Sequence, residues 1–539
     1  MSNNLKGTIY LVKDGITQNT QLLKGEGYQE TSIEMEGATA TLYVKDVTKS
    51  DPAYVDLFAN QNLPDTLDFG INQLTGAVLK VFRAGHTFFI CFGQGHHLLE
   101  KSHLVSNFGL RTAINSIDVE KIRSMDTASN KATLLNSRFQ SGLGAEMNQL
   151  PVDIDEDMLS AIVGISKDAT FVSKVAGRKQ ALNVTLPNSL NKLPTLLDKA
   201  WQKYKAALPT ELKWVENIAE VIQETTISKL NLELLKQINS KNATINGFYL
   251  MEPEVIEHNN IIGYAYKARS NQVSDFLSLN HYLSEIKKKK NVITLDHLIK
   301  DYKIYAHTPA GHINHSWSGF ECLYGELILN HEYYALRNGT WYEINKDFVK
   351  EVNDALARID HYQYSLPEFD HKDEGSYNED VADSSTHIKC MDKKNIWIGG
   401  KQSRFEFCDL VNKANGYDHR TDMIHVKHYT SSATLSHLFS QGTVSAEIFR
   451  SSEEARTKLY NDNSGVMPLS DPKQKPVAND YRVVYAIYGI NSLPTALPFF
   501  SKVNLKNAFN RLQTLGYEVA LAHIPLAGQK LQNPLKKVA

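Results

Sequence analysis

Three consecutive stretches near the C-terminal end constrain the fold more than any other feature of the chain. RVVYAIYGI (482–490) is an apolar run of strand length. LKNAFNRLQTLG (505–516) repeats its apolar residues at helical spacing, and YEVALAHIP (517–525) is strand-like again. Strand, helix, strand in that order predicts an α/β domain. At 539 residues the chain is too long for one hydrophobic core. The expected division is an N-terminal α+β domain over 1–185, a helical and α/β middle domain over 186–360, and an α/β domain over 361–539.

Upstream, GTIYLV (7–12) and GATATLYV (37–44) read as strands, and residues 77–83 and 86–92 flank RAGH as a hairpin. GQGHH (93–97) is a turn. It matches neither GxxxxGK[ST] nor GxGxxG, so no phosphate loop is expected there. DEDMLSAIVGI (155–165) reads as a short helix, and Arg178 and Lys179 follow Gly177 in a basic loop that could touch a phosphate. Apolar residues recur three and four apart in LPTLLDKAWQKYKAAL and ISKLNLELLKQINSK, which predicts helices between about 190 and 240. Asn338-Gly339 between aromatic-rich strands is a second hairpin signal. The polar PEFDHKDEGSYNED (367–380) is expected to be a boundary or insertion loop.

Cys91, Cys322, Cys390 and Cys408 are widely spaced and form no CxxC pair, so neither a disulfide scaffold nor a structural zinc site is expected. The N-terminal MSNNLKGTIYLVKDG lacks a basic segment followed by an apolar run, and no apolar stretch has bilayer length. The expectation is a cytoplasmic protein with no membrane partner. A net charge of -2 leaves nucleic acid open as a partner, because a local positive channel can exist on a neutral protein. No heptad pattern supports a coiled coil, and a homodimer or a partner protein stays open.

The chemistry is concentrated in RFEFCDLVNKANGYDHRTDMIHVKHY (404–429), where two apolar segments carry ionisable side chains. In FEFCDLV, alternation sends Phe405, Phe407 and Asp409 to one face and Glu406, Cys408 and Leu410 to the other. Asp409 lies near the strand's end, where a bend would bring Glu406 towards it. In DMIHVKHY, His425 and Lys427 share a face, and Asn415-Gly416 suits a hairpin that sets Asp409 across from Lys427. Metal-assisted phosphodiester hydrolysis needs carboxylates for Mg²⁺ or Mn²⁺, an activated water and a cation near the phosphate. Asp409, Glu406 and Lys427 offer these groups, with Glu374 and Asp392 as further carboxylates and His425 as a ligand or proton relay. A helix following Ser431, Ser432 or Thr434 would turn His437 and Gln441 towards nucleic acid. Each member also has a plainer explanation: Lys427 as a salt-bridged sheet lysine, Cys408 as a small core residue, His437 as a surface histidine, and Glu406 and Asp409 as partners of Arg404 or Lys427. Jointly, several ionisable groups in apolar strands call for partners or a function.

RFEFCDLV, DMIHVK and LSHLFSQG, with YALRNGTWYEI, EGSYNED, FGQG (92–95) and NFGLR (107–111), give the chain a wider resemblance over nearly its whole length. It resembles a sporadically distributed bacterial family of uncharacterised, domain-of-unknown-function type, whose scattered occurrence is similar to that of genes in mobile and anti-phage defence islands. The C-terminal part resembles the PD-(D/E)xK restriction-endonuclease-like superfamily, which implies a mixed sheet flanked by helices. In that likeness Asp409 matches the strand aspartate, Lys427 the lysine and Glu374 the helix glutamate. His425 stands where the second acidic residue belongs, and no PD dipeptide occurs at Asp409. The resemblance implies an Mg²⁺- or Mn²⁺-dependent nuclease, with DNA favoured over RNA. The alternative is a non-catalytic nucleic-acid-binding or sensor subunit.

Overall fold

The computed structural model describes residues 5–527 except 17, 25–26, 53, 59–60, 62–63, 65–66, 130–134, 241–246, 255, 257–260, 269–272, 309–310, 400–402, 414–418, 430–431, 463–468, 470 and 491. The architecture is multidomain α/β, β-rich towards the N-terminus and ending in a mixed sheet flanked by helices. By internal contacts the chain divides into two units, one of residues 1–128, 137–153 and 158–215 and one of residues 129–136, 154–157 and 216–539.

The first unit is built on a ten-stranded sheet that starts at Tyr28–Met35 and ends at Leu135–Ala145. The hairpin expected around RAGH is present, joining Gly76–Arg83 to His86–Gly93. Its two turn residues, Ala84 and Gly85, both have positive φ (50° and 84°), the backbone a two-residue turn requires between right-twisted strands. The helix expected at DEDMLSAIVGI is instead a strand, Asp157–Ser166. It pairs with Lys174–Arg178, setting Ile162 opposite Gly177. β-Branched Ile162, Val163 and Ile165 suit that pairing, and tertiary context outweighs the short apolar repeat.

In the second unit, a five-stranded sheet runs from Ile218–Glu220 through Thr340–Ile344, Glu332–Arg337 and Leu323–Leu329 to Phe248–Leu250. Asn338 and Gly339, at φ 48° and 68°, make the expected turn. The C-terminal elements are β1 (Asp360–His361), α1 (Glu374–Asp383), β2 (Ile388–Cys390), β3 (Asn395–Ile398), β4 (Ser403–Glu406), β5 (Leu410–Asn412), β6 (Thr421–His428), α2 (Ser432–Ser451), β7 (Tyr481–Tyr488), α3 (Phe499–Thr514) and β8 (Glu518–Ile524). Six of the strands form one sheet in the order β1-β8-β7-β6-β5-β2. β6, β7 and β8 are parallel, whereas β5 and β2 run antiparallel to their neighbours. The helix within 482–525 is the crossover that parallel β7 and β8 need.

Alternation along the central strands sends Met423, Val483, Tyr485 and Ile487 towards α2 and α3. Ile424, Val426, Val484 and Ala486 face Tyr377 and Val381 of α1. The polar 367–380 segment is therefore a loop only as far as Asp373. That residue caps α1 by accepting the Ser376 N–H at 2.9 Å.

FEFCDLV does not form one strand. β4 pairs with β3 in a separate ribbon, and the main sheet resumes at β5. Phe407 and Cys408 are adjacent and both fully buried. A regular strand would send them to opposite faces, but both lie in the one core beneath α2 and α3, so the chain departs from alternation there.

α2 lies close against β7 because of Gly442. A Cβ at that position would stand 2.6 Å from the Tyr485 ring, whose hydroxyl donates to the Phe439 carbonyl at 3.0 Å. Overpacking costs about 1–3 kcal/mol, more than the roughly 1 kcal/mol that alanine gains over glycine in a helix. Gly442→Ala is expected to lower the midpoint of urea unfolding, and a midpoint unchanged or raised would contradict this packing.

Candidate metal centre

The site is assembled where the chain leaves one β-layer for another. Between β2 and β3 a tight turn, with Lys393 at φ 62°, folds back on the bend between β4 and β5. The Asp409 carbonyl accepts the N–H groups of Met391 (2.8 Å) and Asp392 (3.1 Å), which sets the Asp392 side chain beside Asp409. The Lys393 N–H donates to Glu406 Oε1 at 2.6 Å, and Gln441 Nε2 from α2 donates to Glu406 Oε2 at 3.2 Å. Asp409 is held from the opposite side by β6. Its N–H donates to the Ile424 carbonyl at 3.0 Å, and its Oδ2 accepts the Val426 N–H at 2.6 Å.

As a result, Asp392, Glu406 and Asp409 each present an oxygen within 4.8 Å of the other two. The bend anticipated at the end of FEFCDLV is what joins Glu406 to Asp409. Asp409 is only 8% exposed, and the other two are partly exposed. Burial, then the charges of Glu406, Asp392 and Glu374, push the Asp409 carboxyl up to about 8 against the one opposing Val426 hydrogen bond. Among the described residues no lysine or arginine pairs with these three carboxylates.

Crowded carboxylates, one of them buried, are destabilised unless protons or a cation offset their charge. The donor set is all oxygen, which suits a hard divalent ion such as Mg²⁺, Mn²⁺ or Ca²⁺. The three residues could therefore form a metal-binding site.

Glu374, whose charge acts on Asp409, is outside the triad and pairs with Lys427. Lys427 Nζ is 2.7 Å from Glu374 Oε2, while Glu374 Oε1 accepts the His428 N–H at 2.9 Å. The first residue of α1 thus clamps the end of β6. Both charged side chains are about 30% exposed (32% for Lys427 and 28% for Glu374). Such a pair contributes roughly 0–1 kcal/mol, so Lys427 can exchange partners cheaply.

His425 is fully buried, and burial pushes it down to about 3, so the ring is neutral. It lies 6.2 Å from the Tyr485 ring, with Nε2 3.5 Å from Ser445 Oγ, and its Nδ1 has no hydrogen-bond partner. His437 is exposed on α2. In the first unit, Arg178 pairs with Asp126, and Lys179 takes a turn conformation at φ 43°. Asn415, Gly416 and Ser431 lie outside the described residues.

Asp392 enters the sequence reading only as a spare carboxylate, and the partnership of Gln441 with Glu406 is not foreseen there. The available signal for Asp392 is the polar MDKKN after a short apolar strand, which marks a turn facing the site.

The free aspartate value is about 3.9, whereas Asp409 in the fold is pushed up to about 8. Between these values the folded chain keeps a proton that the unfolded chain has lost, so stability falls as pH rises through the window. Relative to Asp409→Asn, the wild-type protein is expected to lose melting temperature from about pH 5 to about pH 8, and Mn²⁺ to restore more of it at the upper end. A difference flat in pH, or Mn²⁺ stabilisation untouched by the substitution, would contradict the assignment.

No curated protein and no solved structure matches the chain. A family profile matches residues 7–525, nearly its full length. The protein belongs to DUF6119, a family of unknown function.

Proposed function

We propose that this protein is a metal-dependent nuclease, acting on DNA in preference to RNA, in bacterial cytoplasmic defence against phage or mobile elements. Its C-terminal sheet would be a divergent restriction-endonuclease-like domain. The observation that carries this reading is the gathering of Asp392, Glu406 and Asp409, with Lys427 one residue beyond the β6 N–H that holds Asp409. The order α1, antiparallel β2-β5-β6, α2 and parallel β7 supports the same reading.

Asp409, Glu406 and Asp392 would hold Mg²⁺ or Mn²⁺, which when bound supplies the positive charge that polarises a phosphate and acidifies water. Asp409 is the anchor, aligned by the Val426 N–H, and Gln441 orients Glu406. Lys427 releases Glu374 and turns its ammonium to the phosphate, offsetting charge as the ester breaks. Glu374 then serves as a further acceptor at the site's edge. His425, neutral and buried, faces Ser445 and Tyr485 beneath α2 and would play no direct part. His437 and Gln441 on α2, and Arg178 with Lys179 in the first unit, would supply contacts to nucleic acid.

Two observations favour the alternative of a non-catalytic nucleic-acid-binding or sensor subunit. Lys427 is neutralised by Glu374, and no carboxylate occupies position 425.

Purified full-length protein is expected to cut DNA with Mg²⁺ or Mn²⁺. Asp409→Asn and Lys427→Ala should each lower the rate by on the order of 100-fold or more. Undiminished cutting by both variants would refute these roles. DNA binding that weakens with salt but needs no metal, without cutting, would favour the alternative.

A further inference from the structure

Three parallel rings form a column at the C-terminal ends of β6 and β7, and none of these rings enters the scheme above. Tyr488 ends β7 and is 4% exposed. The Phe369 ring lies flat on one of its faces, with centres 4.0 Å apart and planes at 14°. On the other face lies His428, its register partner at the end of β6, at 4.6 Å and 9°. The column therefore finishes in an exposed imidazole. With one face laid on Tyr488, His428 leaves the opposite face to solvent.

The backbone is shaped to let the ring lie down. Gly489 has a φ of 83°, and a Cβ there would stand 2.9 Å from His428 Cδ2 and 3.0 Å from Nε2. Any other residue at 489 would push the ring off Tyr488. His428 engages Glu374 through its backbone N–H, so the clamp on α1 does not need the imidazole.

The surroundings decide what would lie on the open face. The Glu374 carboxylate meets both the His428 N–H and Lys427 Nζ, and Val426, two residues back, holds Asp409. The ring is thus about 7 Å along the strand from the N–H that fixes the metal anchor. A flat aromatic group joined through a sugar to a phosphate is what a nucleotide would present to this pair of features. The C-terminal ends of parallel strands are also where open α/β sheets receive ligands. Inside a duplex both faces of a base are covered by its neighbours, so only an unpaired or extruded base can lie on His428.

We infer that His428 is a stacking platform for an unpaired nucleobase beside the scissile phosphate, so that the site takes single-stranded nucleic acid, or a strand with an extruded base, rather than intact duplex. Stacking on an aromatic ring accepts any base, because every base has a π-face. The inference rests on the nuclease reading for the class of its ligand. His428 would align the strand, without ligating the cation or moving a proton.

The test uses the full-length protein with Ca²⁺ and a single-stranded DNA, the same strand made abasic, and its duplex. Wild type is expected to bind the base-bearing strand more tightly than the duplex. His428→Ala, and His428→Leu, which covers Tyr488 without a π-face, should each weaken that binding by roughly 5- to 150-fold and leave the abasic strand unaffected. His428→Phe should restore it. 2-Aminopurine set at successive positions should be quenched at one of them in wild type and in His428→Phe, but not in His428→Leu. Should His428→Ala fail to fold, His428→Leu carries the comparison. Equal affinity of wild type and His428→Leu for the base-bearing strand, or preference for the duplex, would overturn the platform even if the protein cuts DNA. Base-dependent binding lost in His428→Leu by a protein that cuts nothing would uphold the platform and remove the nuclease.

Discussion

A carboxylate withheld from water beside two others is the constraint around which the C-terminal sheet is arranged. Asp409 cannot be placed by apolar packing, because its charge opposes burial, and the fold meets that opposition with directed hydrogen bonds. The Val426 N–H reaches its side chain, and its own backbone is tied to Ile424, Met391 and Asp392. These bonds draw the β2–β3 turn over the β4–β5 bend and so bring Asp392 and Glu406 to the same point. The bend is enforced by the core, since Phe407 and Cys408 are both sunk and pull the strand out of alternation. An apolar requirement thus creates the geometry that a polar site uses.

The lysine beside this cluster follows a different logic. Lys427 is on the strand that fixes Asp409, but its ammonium is drawn to Glu374 at the start of α1. The pair ties a helix terminus to a strand terminus at little energetic depth, so it serves as an adjustable contact rather than a structural bolt. The deep ionic lock of this sheet is elsewhere, in the 2.7 Å pair of buried Asp422 and Arg482 at the opposite end of β6 and β7. One end of the strand pair is thus rigid, while at the other Lys427 can exchange partners at little cost.

Much of this was legible from residue order. The hairpins at Ala84-Gly85 and Asn338-Gly339, and the strand–helix–strand at 482–525, follow from turn chemistry and period, which act over a few residues. The bringing together of Asp409 and Glu406 was legible only as a conditional, because the bend depends on burial of Phe407 and Cys408. Asp392 was illegible as a full member, since its position is set by a turn that docks onto a bend 17 residues away. DEDMLSAIVGI misleads because a short apolar run fits a helix and a buried strand equally well, and only pairing decides. The column of Phe369, Tyr488 and His428 shows the same limit: its rings come from three separate segments, which no local pattern connects.

The most direct test of the central claim counts protons. Calorimetric titration of Mn²⁺ into the full-length protein, repeated at neutral pH in buffers of different ionisation enthalpy, measures how many protons leave as the cation enters. With Asp409 holding a proton at that pH, the account predicts release of about one proton per Mn²⁺ in the wild-type protein and close to none in Asp409→Asn. Mn²⁺ binding without proton release, or no Mn²⁺ binding at all, would contradict it.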